Sequence, residues 1–127
     1  MLFHASCHCK TVKLEFEFDE PLTAVRCNCS MCAQSGLLHL ITPKSKFRLL
    51  EGEDNLSCYT FNSHIAKHYF CKTCGIRPFY IPRSNPDGYS VNARCVDPYP
   101  DDLIVEDFDG RNWEKNAHTL SHLSKED

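Results

Sequence analysis

Three observations predict a mainly β fold organised around clustered cysteines. Seven of nine cysteines gather in three tight clusters, apolar and polar residues alternate in short stretches, and turn signals recur between those stretches. The clusters read Cys7-His8-Cys9, Cys27-Asn28-Cys29-Ser30-Met31-Cys32 and Cys71-Lys72-Thr73-Cys74. The clearest alternation sets Val12, Leu14, Phe16 and Phe18 against Lys13, Glu15 and Glu17, a strand with one wet face. Asp19-Glu20-Pro21 ends it, because proline cannot extend a ladder. Residues 23–26 predict a strand entering the three-cysteine cluster, and residues 37–42 one leaving it, stopped by Pro43. Residues 47–50 and 57–61 flank Gly52-Glu53-Asp54-Asn55, a turn by composition. Residues 67–70 enter the last cysteine pair and 77–82 leave it, a strand–knuckle–strand pattern that reads as a zinc-ribbon hairpin. Ser84-Asn85-Pro86-Asp87-Gly88 is a further turn, and 89–94 and 103–108 are the last strands. The tail, 113–123, is at most weakly helical, since Asn116 and Thr119 are poor helix formers.

A chain of 127 residues suits one domain, here taken as 1–127. Its 42% hydrophobic and 24% charged residues are those of an ordinary soluble globular protein. No apolar run approaches the roughly 20 residues of a membrane span. Met1-Leu2-Phe3-His4 lacks the basic-then-apolar pattern of a secretory signal, so a cytoplasmic location is expected. An odd cysteine count with Cys-x-Cys and Cys-x-x-Cys spacings favours metal over disulfides. The formal charge is −3 and no two Lys or Arg residues adjoin, which argues against gripping a nucleic-acid backbone. Composition leaves homo-oligomerisation open.

The clusters divide into two kinds of site. Cys7 and Cys9 with Cys71 and Cys74 make four ligands, a complete tetrahedral shell for a structural zinc. Cys27, Cys29 and Cys32 supply three ligands and leave one position open, as catalytic zinc sites do. That position can take water, which zinc acidifies, or a thiol, which zinc deprotonates. A protein group can also fill it: Cys95, Cys58, His39, His64 and His68 are the candidates. His64 and His68, and again His118 and His122, are four apart, but neither pair carries the glutamate of a zincin, so they read as surface or packing residues. Arg83 and Arg94 flank a turn and are either solvated strand ends or anchors for substrate carboxylates. Trp113 is the only tryptophan, a core or lid contact.

The order Ser6-Cys7-His8-Cys9, Cys27-Asn28-Cys29-Ser30-Met31-Cys32 and Phe70-Cys71-Lys72-Thr73-Cys74-Gly75 resembles the glutathione-dependent formaldehyde-activating (GFA) family, also called the centromere protein V/GFA domain family. Pro82 to Gly88, Val91 to Asp97 and Phe108 to Glu114 look like stretches common in one branch of it. The resemblance implies an Mss-four-like fold of twisted antiparallel sheets around a zinc knuckle. It implies two zincs, a structural one at Cys7, Cys9, Cys71 and Cys74 and a catalytic one at Cys27, Cys29 and Cys32. It also implies carbon–sulfur lyase chemistry on the adduct of formaldehyde, or a related small electrophile, with a thiol such as glutathione. Lys10 stands where a glycine is common, and Ala33 where a basic residue is common. Two other readings compete: a non-catalytic zinc module that binds a protein partner, and a redox-active thiol protein.

Overall fold

The alternation at residues 13–17 folds as its pattern predicts, with Leu14 and Phe16 fully buried and Lys13 and Glu17 in water. The computed structural model describes residues 1–125. Its elements begin with β1 (Leu2–Ser6), β2 (Lys13–Glu17), β3 (Thr23–Cys27), α1 (Ser30–Ser35), β4 (Leu38–Pro43) and β5 (Phe47–Glu51). They continue with β6 (Leu56–Tyr59), β7 (His68–Cys71), β8 (Phe79–Tyr80), β9 (Gly88–Asn92), β10 (Ile104–Phe108) and α2 (Trp113–Asn116).

Three sheets result. One runs β1-β2-β5, the largest runs β10-β3-β4-β9-β8, and β6-β7 is a two-stranded ribbon. The fold is mainly β, and its pairs are antiparallel except one: β10 lies parallel to β3. The two strands are far apart in sequence, so no tight turn forces them antiparallel. The sequence also hides β1, whose Leu2-Phe3-His4-Ala5-Ser6 alternates poorly and is held by a full ladder to β2. Strand β4 is buried along its whole length between β3 and β9, so its residues show no alternation to read.

The main core gathers Leu14, Phe16, Leu22, Leu40, Phe79 and Val91 where the sheets meet. At its edge, Phe47 stacks on Tyr89 with ring centroids 4.1 Å apart. The tail is pinned by one buried side chain. Asn85, fully buried in the turn before β9, donates to the Leu120 carbonyl and to Ser124 Oγ, each at 2.9 Å. That clamp holds the segment bearing Trp113 across the end of the largest sheet. The tail is a chain of short helical turns, α2 followed by 3-10 turns, which fits its weak helix propensity.

Candidate metal centres and the adjoining cavity

Cys7 and Cys9 follow β1, and Cys71 to Cys74 form the knuckle after β7. Gly75 has φ 77° and closes the knuckle by donating its N–H to the Cys71 carbonyl at 2.9 Å. A glycine suits that left-handed turn because it carries no Cβ to clash. Lys10 makes the matching turn of the first pair at φ 66°, donating to the Cys7 carbonyl at 3.1 Å. The place where a glycine is common thus demands a left-handed backbone, which costs a lysine about 1 kcal/mol.

All four sulfurs lie within 4.8 Å of one another. Cys9 Sγ is 3.7 Å from Cys7 Sγ and 3.6 Å from Cys71 Sγ. A zinc–sulfur bond of about 2.3 Å gives tetrahedral edges of about 3.8 Å, so this spacing fits a zinc ion. Donors already point at the sulfurs: Val12 N–H at Cys7 and Asn55 Nδ2 at Cys71, both at 3.3 Å. Burial pushes the Cys7 thiol up to about 11, so a buried cation is what would let it ionise.

Cys27 ends β3, Cys29 caps α1, and Cys32 sits on its first turn. The segment between the entering and leaving strands is a short helix, and a cysteine caps it: Cys29 Sγ accepts from Cys32 N–H at 3.4 Å. Gly36 ends the helix in the left-handed conformation, at φ 70°. The three sulfurs lie within 4.8 Å of one another. Hydrogen bonds from Cys27 and Cys32 pull Cys29 far down, and the same contacts hold Cys27 and Cys32 up. The contacts among the three thiols thus favour ionisation at Cys29 and oppose it at Cys27 and Cys32, and a bound divalent cation would let all three ionise. Among the described residues no fourth His, Cys, Asp or Glu joins this group.

Cys32 is anchored from behind. His39 Nε2 lies 3.2 Å from its sulfur, while His39 Nδ1 lies 3.0 Å from the Tyr80 hydroxyl and 3.2 Å from Ser90 Oγ. Burial lowers His39 to about 4, so the ring is neutral near pH 7. Against a Cys32 thiolate, which can only accept, Nε2 carries the proton and Nδ1 accepts from a hydroxyl. Such a partner behind a ligand fixes its orientation.

A cavity of about 620 Å³ opens on this cluster, bounded by Cys27, Cys29 and Cys32 on one side and by Phe61, His68, Tyr80, Arg83 and Trp113 on others. Arg83 lies over the Trp113 ring, its guanidinium carbon 3.6 Å from the ring centroid. Arg94 lies elsewhere, donating to the Gly36 carbonyl at 2.8 Å and facing a second depression on the far side of the cluster. Only one of the two arginines therefore shares the cavity. The tryptophan is a wall of that cavity rather than a core residue.

The other candidates disperse. Cys58 and His64 are exposed on the ribbon and the loop after it, and His118 and His122 are exposed on the tail. Cys95 lies against the four-sulfur cluster, where burial and the charges of Cys7 and Cys74 raise it to about 12. His68, read from the sequence as a surface or packing residue and as one candidate for the fourth position, is buried and borders the cavity, outside the three-sulfur group. Tyr80 and Arg77 carried no sequence signal; they emerge because the end of β8 bridges to the start of β7, Lys67 pairing antiparallel with Ile81.

The profile of the family described as glutathione-dependent formaldehyde-activating enzyme matches residues 2–109. Among solved structures, the chain is similar to a crystallised protein of Rhodobacter sphaeroides. The two are 33% identical with a TM-score of 0.71, over 81% of this chain and 99% of that one. The profile match ends before Trp113, so the tail that walls the cavity lies outside it. No helix among the described residues is long and apolar enough to cross a membrane.

Proposed function

The chain belongs to the glutathione-dependent formaldehyde-activating family, and from that premise we propose that it is a zinc-dependent enzyme of carbon–sulfur chemistry. It would join a thiol, glutathione or one like it, to formaldehyde or a related small electrophile, or split the adduct. The observation that carries this reading is the three-sulfur cluster on a cavity wall, with no fourth ligand grouped with it among the described residues. A zinc held there supplies a site at which a thiol binds as thiolate. Seven sulfurs in a set of four and a set of three suit zinc, which favours sulfur donors.

The chain's own residues then divide the work. His39 orients Cys32. Arg83, spread on Trp113 and with no carboxylate partner among the described residues, offers its N–H edge to a substrate carboxylate. Phe61 and Trp113 narrow the cavity and keep water from the adduct.

The test uses the full chain with cobalt in place of zinc. Glutathione should change the spectrum of one of about two bound ions, and formaldehyde should change it again. Arg83→Gln should weaken glutathione roughly tenfold, the worth of one charge-assisted hydrogen bond, and leave ethanethiol unaffected. A spectrum indifferent to glutathione would defeat the thiol-substrate reading.

A further inference from the structure

Behind the cavity wall sits a half-buried cation with no carboxylate partner among the described residues. Arg77 Nη2 donates to His68 Nδ1, its Nε has no hydrogen-bond partner, and its guanidinium lies 5.5 Å from the centre of the Tyr80 ring. Arginine has no acceptor atom, so His68 Nδ1 must accept. That fixes the tautomer: the ring proton of neutral His68 is on Nε2.

The ring itself is immobilised. It stacks on Tyr80 at 5.1 Å and 11°, and Phe61 covers its other neighbourhood at 5.5 Å and 20°. His68 is 5% exposed and borders the cavity. Among the described residues its Nε2 has no protein partner, yet it is not one of their sealed, partnerless atoms, a set in which only Arg77 Nε appears. The small accessible part of this ring therefore includes a fixed N–H donor. Burial first, and then the Arg77 charge, lower His68 to about 4, so the donor is neutral near pH 7.

We propose that His68 is a further catalytic residue, whose Nε2–H donates a hydrogen bond to the oxygen of the electrophile as a substrate sulfur adds to its carbon. Arg77 is the positioning residue that holds the ring in the donor tautomer. This rests on the thiol-addition reading above. In the step, the thiol proton leaves to solvent as the sulfur binds. A sulfur lone pair forms the S–C bond, and the C=O π pair moves onto oxygen. His68 stabilises that oxygen without giving up its own proton, and water returns a proton to it as hydroxyl. Thiol plus aldehyde gives hemithioacetal, with no net oxidation; the reverse reaction runs the same atoms backwards. A neutral donor suits both directions, because it favours the developing charge without trapping it as a full ion pair.

Thioacetate is a stable probe with sulfur and oxygen on one carbon, and ethanethiol carries the sulfur alone. On the cobalt-loaded full chain, His68→Phe keeps the ring stack and removes the donor. It should weaken thioacetate about tenfold or more and change ethanethiol little; His68→Gln, which restores an N–H, should recover part of the loss. Equal losses for both probes would make His68 a mere wall and overturn the proposal, as would no loss for either. Imidazole NMR of the unmutated protein needs no variant to fold: His68 should appear as the Nε2–H tautomer, and thioacetate should shift that proton. The Nδ1–H tautomer, or an unmoved proton, would overturn it. If thioacetate moves the His68 proton while neither probe disturbs the cobalt band, the donor stands and the thiol-binding reading falls. If neither signal moves, both fall.

Discussion

The two sulfur clusters use the same ligand and differ in what surrounds it. Around Cys7, Cys9, Cys71 and Cys74 the neighbours are backbone N–H groups and short polar side chains, and two sulfurs are almost fully buried. Around Cys27, Cys29 and Cys32 the neighbours are a buried histidine on one side and an aromatic cavity on the other. The first arrangement ties β1 to the β7 knuckle across a long stretch of chain and leaves nothing for a ligand to do. The second spans six residues of one segment, closes no long loop, and turns a face outward. A metal stabilises a fold in proportion to the freedom it removes, and is available for chemistry in proportion to the position it leaves open.

The comparison breaks most visibly at the four-sulfur cluster. Cys71→Ser should abolish cooperative unfolding, because a structural zinc is worth about 10–16 kcal/mol in small peptides, more than a typical domain's net stability; calorimetry and zinc analysis check it. Cys27→Ser should lose one zinc and all response to thiols yet keep a melting temperature within a few degrees of the parent. Should Cys27→Ser unfold instead, both clusters are structural and the protein-binding module becomes the better description.

A subtler probe is Gly110→Ala. A Cβ at Gly110 would collide with Cys27 Sγ and come within 3.1 Å of Cys29 Cβ. Affinity for the second metal should fall about tenfold, the low end of what disturbing a ligand's surroundings costs, with the first metal unaffected in a competition against a chelator.

Acid separates the two surroundings as well. His68 is lowered to about 4, while an unfolded histidine titrates near 6.5. Between those values the unfolded chain holds more protons, so His68's contribution is complete above about pH 6.5 and fades as pH falls toward 4. The melting temperature of the parent should therefore drop more between pH 7 and 5 than that of His68→Phe, by a few degrees. The smallest effect belongs to Lys10→Gly. Relief of the left-handed backbone should raise the melting temperature slightly, and the second metal should be untouched.

Much of this was legible before folding. The cysteine spacings announced both sulfur clusters, because a short segment gathers its own side chains by residue order. The alternation of β2 and the turn residues around Gly52 and Asn85 placed strands for the same reason: each is decided by neighbours a few positions away. Strand β1 was not legible, since its place depends on a ladder rather than on its own pattern. Nor was α1, whose cap is a cysteine rather than one of the usual oxygen-bearing residues. The parallel β10–β3 pair was equally out of reach, because nothing local sets its direction.

The amino-acid order alone determined which sulfurs group together, that one set is complete and the other short of a ligand, and that strands carry them. Only the tertiary structure decided what faces the incomplete set. His39, His68 and Arg83 stood out by residue type alone and Arg77 and Tyr80 not at all; they come from three strands and their connections, and no spacing said which of them would meet. Chelating residues must be close along the chain or in pairs, so order reveals them. A cavity wall needs only proximity in space, and that is supplied by sheet packing, which no short window of sequence contains.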